Sequence, residues 1–106
     1  MTEHNHAAPL GDLAGEMGAA YAAFDAAVFT GTGEIPRKYR ELIALGVAMT
    51  TQCDHCLKVH ARTAVEFGAT DEELAETTYI TAALRAGGGI VHGAKALASI
   101  KRSSTA

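Results

Sequence analysis

Arg40-Glu41-Leu42-Ile43-Ala44-Leu45-Gly46-Val47-Ala48-Met49-Thr50-Thr51-Gln52-Cys53-Asp54-His55-Cys56-Leu57-Lys58-Val59-His60 is the stretch that decides the fold of this chain. From Leu42 to Met49 it is apolar on nearly every side, and a helix without a polar face is buried on several sides. Thr50-Thr51-Gln52 reads as a turn, after which the next helix opens at Cys53. At about 100° per residue, Cys53, Cys56 and His60 fall within about 60° of one another on that helix, while His55 points elsewhere. If the two helices fold back as an antiparallel hairpin, Glu41 lies roughly 15 Å below the turn and His60 roughly 12 Å, at a rise of about 1.5 Å per residue. The carboxylate and the imidazole are then nearly level, below the cysteines.

Working outward, the first helix of the hairpin starts near Pro36, a residue suited to a first turn. The second ends around Phe67, with Gly68 as a natural C-terminal stop. Upstream, Leu10, Leu13, Met17, Tyr21, Phe24 and Val28 recur in the three- and four-residue steps of one amphipathic helix, which Thr30-Gly31-Thr32-Gly33 ends. Downstream, Thr70-Asp71-Glu72-Glu73 is a capping box opening a fourth helix that runs to Arg85. Gly87-Gly88-Gly89 is expected to break the chain, and a fifth helix follows from Ile90 to about Arg102. No strand-like alternation competes. The prediction is an all-α bundle of about five helices around a central antiparallel hairpin that carries Cys-x-x-Cys. It comprises a flexible tail over 1–8, a single domain over 9–102 and a flexible C-terminus over 103–106.

Composition narrows the function. The chain has 106 residues, of which 48% are hydrophobic but only 6% aromatic, with no tryptophan. About a fifth is alanine and 11 residues are glycine, so the helices pack closely around little core. That deficit is usually met by staples or by association with another subunit. A net charge of −3 argues against a nucleic-acid partner. No apolar run reaches the roughly 18 residues of a membrane span. Met1 to His6 is polar and carries no secretory signal, so a cytoplasmic protein is expected. In that compartment two cysteines do not make a permanent staple.

The residues around Cys53 then read as chemistry. Cysteines in a first helical turn feel free N–H groups and the positive end of the dipole, and Cys56 has His60 four residues on. Both influences favour thiolate, the requirement of a redox-active dithiol. Glu41, beside an apolar stretch and level with His60, can accept a proton relayed from the thiol. Other readings stand beside this one. Cys53, Cys56 and His60 could form three quarters of a zinc site, with a fourth ligand from His55, His92 or another chain. The cysteines could be inert packing, and Glu41 an ordinary partner of Arg37, Lys38 or Arg40. Those three cations read as a solvated face, or as a docking patch. His92 reads as a surface or interface histidine, and His4 and His6 as weak ligands. Gly87-Gly88-Gly89 lacks the preceding strand and following Lys-Ser/Thr of a phosphate loop.

Arg40-Glu41-Leu42-Ile43-Ala44-Leu45-Gly46-Val47-Ala48, Gln52-Cys53-x-His55-Cys56-x-x-x-His60 and Gly68-Ala69-Thr70-x-Glu72-Glu73 together resemble the carboxymuconolactone decarboxylase superfamily, and within it the AhpD-like alkylhydroperoxidase branch. The resemblance covers roughly residues 36–100. It implies an all-α fold that usually assembles into trimers or hexamers. It also implies that Glu41, Cys53, Cys56 and His60 fall on a proton relay and redox pair, with His55 as an accessory histidine. The implied activity is thiol-dependent reduction of hydroperoxides, without bound cofactor or resident metal, the disulfide being regenerated by an external dithiol of lipoyl or thioredoxin type. A general dithiol–disulfide oxidoreductase and a redox sensor that does not turn over are the alternatives. The decarboxylases that give the superfamily its name do not use such a cysteine pair, which argues against lactone decarboxylation.

Overall fold

The computed structural model describes residues 8–105, so positions 1–7 of the expected tail and Ala106 lie outside the described residues. The described residues form five helices: α1 (Ala8–Ala14), α2 (Glu16–Thr30), α3 (Arg37–Thr51), α4 (Asp54–Glu66) and α5 (Asp71–Thr105). Among the described residues there is no strand. The all-α class and the number of helices agree with the sequence reading, but the partition differs at both ends.

The single first helix is two. Gly15 takes φ 63, a left-handed value that breaks the helix between Ala14 and Glu16. At the other end Gly87-Gly88-Gly89 does not break the chain, and α5 runs unbroken for 35 residues. Glycine in a helix costs about 1 kcal/mol relative to alanine. That cost is borne here because the triplet sits between alanine-rich helical segments with no proline on either side. The C-terminal stretch expected to be loose is helical as far as Thr105.

The predicted hairpin is the centre of the fold. Its first helix ends where Gln52 adopts a left-handed conformation and Cys53 N–H reaches back to Ala48 O (3.2 Å). Its second ends in a Schellman motif: Gly68 has φ 98, Gly68 N–H bonds Val65 O and Ala69 N–H bonds Ala64 O. The capping box closes as read, with Thr70 N–H on Glu73 Oε1 (3.0 Å) and Glu73 N–H on Thr70 Oγ1 (3.1 Å). α5 then crosses α3 closely enough at Gly46 that a Cβ there would meet Thr81 Oγ1 at 3.0 Å.

The core is small. Leu45, Ala48, Val59, Ala64 and Ala69 are its buried apolar side chains, and all lie in or beside the hairpin. The stripe from Leu10 to Val28 is exposed over its length, and so are Ile43 and Val47 on α3. Every described residue from Gly88 to Lys101 is exposed as well. The radius of gyration is 18.7 Å, against about 13 Å for a compact chain of this length. The accessible surface is 7858 Å², about 2,200 Å² more than a compact monomer of this mass presents. No helix among the described residues is long and apolar enough to cross a membrane.

Candidate redox site

Cys53 is not in the first turn of α4 but is its N-cap, with extended φ −92 and ψ 96, and its sulfur accepts the N–H of Cys56 at 3.2 Å. The displacement follows from Gln52, whose left-handed backbone turns the chain two residues before α4 begins. Cys53 and Cys56 are joined in a disulfide, with Cα atoms 5.2 Å apart. An N-cap residue retains the backbone freedom that closing this short ring requires. His55 sits in the first turn of α4 and is half-buried.

Below the disulfide the hairpin brings together the acid and the histidine that the spacing placed level. Glu41 is fully buried. Its Oε1 lies 2.6 Å from Nδ1 of His60 and its Oε2 accepts from Nε of Arg37 at 2.7 Å. Burying a lone carboxylate costs several kcal/mol, and here each oxygen has a partner. The ring of His60, one helical turn from Cys56, also lies against Phe29 with centroids 4.8 Å apart. With Nδ1 committed to the carboxylate, the ring orientation is set, in the same way that an outer-shell carboxylate orients a catalytic imidazole.

The cations at the start of α3 are not a solvated face. Arg37 pairs with Glu41 and lies over the Phe67 ring at 4.8 Å. Lys38 pairs with Glu73 on α5 at 3.0 Å. Arg40 donates Nε to Ile35 O (2.7 Å) and Nη1 to Val28 O (3.1 Å) and Gly31 O (2.8 Å), tying the end of α2 to α3. Arg37 finds its partner within α3 at i,i+4, whereas Lys38 and Arg40 find theirs outside the helix, where residue spacing does not reveal the pairing. Glu41 therefore serves both readings weighed for it, as partner of Arg37 and of His60.

The hydrogen bond from Thr70 N–H, reinforced by Lys38, holds the Glu73 carboxyl below the ordinary carboxylate value. The bond to Glu73 in turn holds Lys38 above the ordinary lysine value. Arg37 was among the partners expected for Glu41, whereas Phe29 was not expected at the site. Phe29 lies one residue beyond the exposed stripe and belongs to no periodic pattern, whereas Arg37 carries a signal in its i,i+4 spacing to Glu41. Among the described residues no three His, Cys, Asp or Glu side chains gather in a way that could hold a metal ion.

The model of the carboxymuconolactone decarboxylase family matches residues 15–99, which contain the whole hairpin and most of α5. The chain belongs to that family. Among its relatives, an uncharacterised protein of the cox locus of Paracoccus denitrificans is 38% identical over 79 residues, covering 74% of this chain and 70% of its own. An uncharacterised protein of Cupriavidus necator is 35% identical over 100 residues, covering 92% and 87%. A solved structure from Methanobacterium thermoautotrophicum superposes with a TM-score of 0.71 at 29% identity, covering 78% of this chain and 94% of that one. Within the decarboxylase family, then, this member combines a Cys-x-x-Cys disulfide with a buried Glu41–His60 pair.

Proposed function

We propose that this family member is a thiol-dependent peroxidase of the alkylhydroperoxidase type, working in the cytoplasm. The observation that carries the reading is the fully buried Glu41 bound to His60 one turn below the Cys53–Cys56 disulfide. In the reduced protein His60 takes the proton of the Cys56 thiol, and Glu41 stabilises the charge that the ring acquires. The Cys56 thiolate attacks the terminal oxygen of a hydroperoxide and the O–O bond breaks. The departing alkoxide takes the proton back from His60 and leaves as an alcohol, and Cys56 becomes a sulfenic acid. The Cys53 thiol attacks that sulfur, forming the disulfide and releasing water. One hydroperoxide and two thiols thus give one alcohol, one water and one disulfide. An external dithiol, carried by a lipoyl- or thioredoxin-type protein, reduces the disulfide by exchange. His55 is the accessory histidine of the set. No bound cofactor takes part.

The working form is a homo-oligomer, a trimer or hexamer. The excess of about 2,200 Å² of surface over a compact monomer is more than twice the roughly 800 Å² each partner contributes to a standard interface. The deciding experiment for the activity is steady-state peroxide consumption by wild type and Cys56→Ser, with lipoamide-type and thioredoxin-type reductants compared. Turnover by the wild type and none by Cys56→Ser is the expected result. Reduction of model disulfides without peroxide turnover would make the protein a general oxidoreductase, and a single oxidation without recycling would make it a sensor.

A further inference from the structure

We propose that Arg37 is a positioning residue of this site. By holding the second oxygen of Glu41 it fixes the carboxylate, and through it the His60 ring, in the register that serves the cysteines. The inference rests on the thiol reading above and extends the relay one residue further. Glu41 has no exposed surface, so its charge is compensated only by what touches it. His60 takes Oε1 and Arg37 takes Oε2. The guanidinium is itself anchored on both helices of the hairpin. Its backbone belongs to α3, and its flat face rests on Phe67, the residue that caps α4 ahead of the Gly68 turn.

Arg37 does not act on the sulfurs directly. Its guanidinium binds Glu41, and Glu41 binds His60, which lies one helical turn from Cys56. Its influence on the cysteines therefore passes through Glu41 and His60. The other charged groups nearby are engaged elsewhere or lie nearer the turn. Lys38 is bound to Glu73 of α5, Arg40 to three backbone carbonyls, and Arg85 of α5 to Thr50 O at the end of α3. His55 sits in the first turn of α4. Without Arg37, the second oxygen of the buried carboxylate loses its partner and nothing holds Glu41 in place against His60. His60 then loses the anion that supports its charged form, and thiolate formation becomes harder.

The test is the pH dependence of iodoacetamide alkylation in the reduced, full-length protein, for wild type, Arg37→Gln, Glu41→Gln and the double variant. In Arg37→Gln the midpoint is expected to rise by about one pH unit. The double variant is expected to match Glu41→Gln alone, because Arg37 has nothing left to act through. An unchanged midpoint in folded Arg37→Gln overturns the proposal, as does a full further shift on top of Glu41→Gln. If Arg37→Gln does not fold, Arg37→Lys is read the same way. It keeps the charge but loses the Nε–H and the flat face on Phe67, so a smaller rise confined to the Glu41-containing protein is expected, and no rise overturns the idea. Peroxide turnover is scored separately. A midpoint shift without turnover retires the peroxidase reading and leaves Arg37 in its role, while turnover without a shift does the reverse.

Discussion

At the scale of single residues, the site is a buried carboxylate whose two oxygens are divided between an imidazole and a guanidinium. The proposed relay uses the carboxylate's charge to support the protonated ring. Glu41→Gln keeps the shape and removes that charge, and it is expected to slow alkylation of the reduced cysteines at neutral pH about tenfold, the equivalent of about one pKa unit. The measurement is the alkylation rate of the folded variant. Phe29 has a different part. It packs one ring against His60 and is only half-buried, so Phe29→Ala should cost about 1–2 kcal/mol, less than the 3–5 kcal/mol of a core phenylalanine. Chemical denaturation of the reduced protein measures that cost. A loss at the core value would mean that the ring is far better enclosed than its neighbours indicate. Glu41 and His60 were legible from spacing because both lie on one regular hairpin. Phe29 was not, since it arrives from α2 across a loop.

At the scale of elements, the hairpin is held to α5 by a close crossing and by one ion pair. The crossing point is Gly46, whose missing side chain lets Thr77 and Thr81 approach. Gly46→Leu is expected to wedge α3 from α5 and destabilise the fold by about 1–3 kcal/mol, read from thermal or urea unfolding. The ion pair gives the pH dependence. Glu73 is held below its ordinary value, so its contribution is fully present above that value and is lost as pH falls through the depressed one. Lys38 is held above its ordinary value, so its contribution is present below that value and is lost only as pH rises through the raised one. The tie is therefore intact across the neutral range. Glu73→Gln should flatten the acid limb of a stability–pH curve and leave the shape between pH 6 and pH 8, as a rough range, unchanged. An acid limb identical to wild type would show that this pair does not hold α5. The failure at Gly87-Gly88-Gly89 belongs to this scale too. Local propensity predicted a break, but a propensity cost of about 1 kcal/mol per glycine is too small to end a helix when both flanks are helical and no turn residue redirects the chain.

At the scale of the whole molecule, a single copy of the chain leaves much apolar surface exposed. The stripe from Leu10 to Val28, the outer face of α3 and the distal half of α5 all carry exposed apolar side chains. An apolar groove of about 590 Å³ runs between α3 and α5, lined in part by Tyr39, Ile43, Val47, Ile80 and Leu84. Sedimentation at micromolar concentration should therefore return a mass several times the 11.0 kDa of one chain. Replacing Val47 and Leu84 together by glutamate should dissociate or unfold the assembly, because buried unpaired carboxylates cost several kcal/mol each. A wild-type protein that sediments as a folded monomer would overturn the oligomer.

The helical class, the hairpin, its caps and the level of acid and histidine were legible in the residues, because each rests on contacts between residues close in the chain or on one regular pair of helices. The capping box at Thr70, the stop at Gly68 and the approach of Glu41 to His60 all followed from local periodicity and the rise per residue. Packing between elements settled that Cys53 caps α4 rather than entering it, that Lys38 and Arg40 are each bound, and that Phe29 rather than the stripe beside it meets the site. It also decided which apolar faces are buried. Periodicity identifies a face that must leave water, but it does not say whether the same chain supplies the cover, and here the single chain leaves much of that surface exposed.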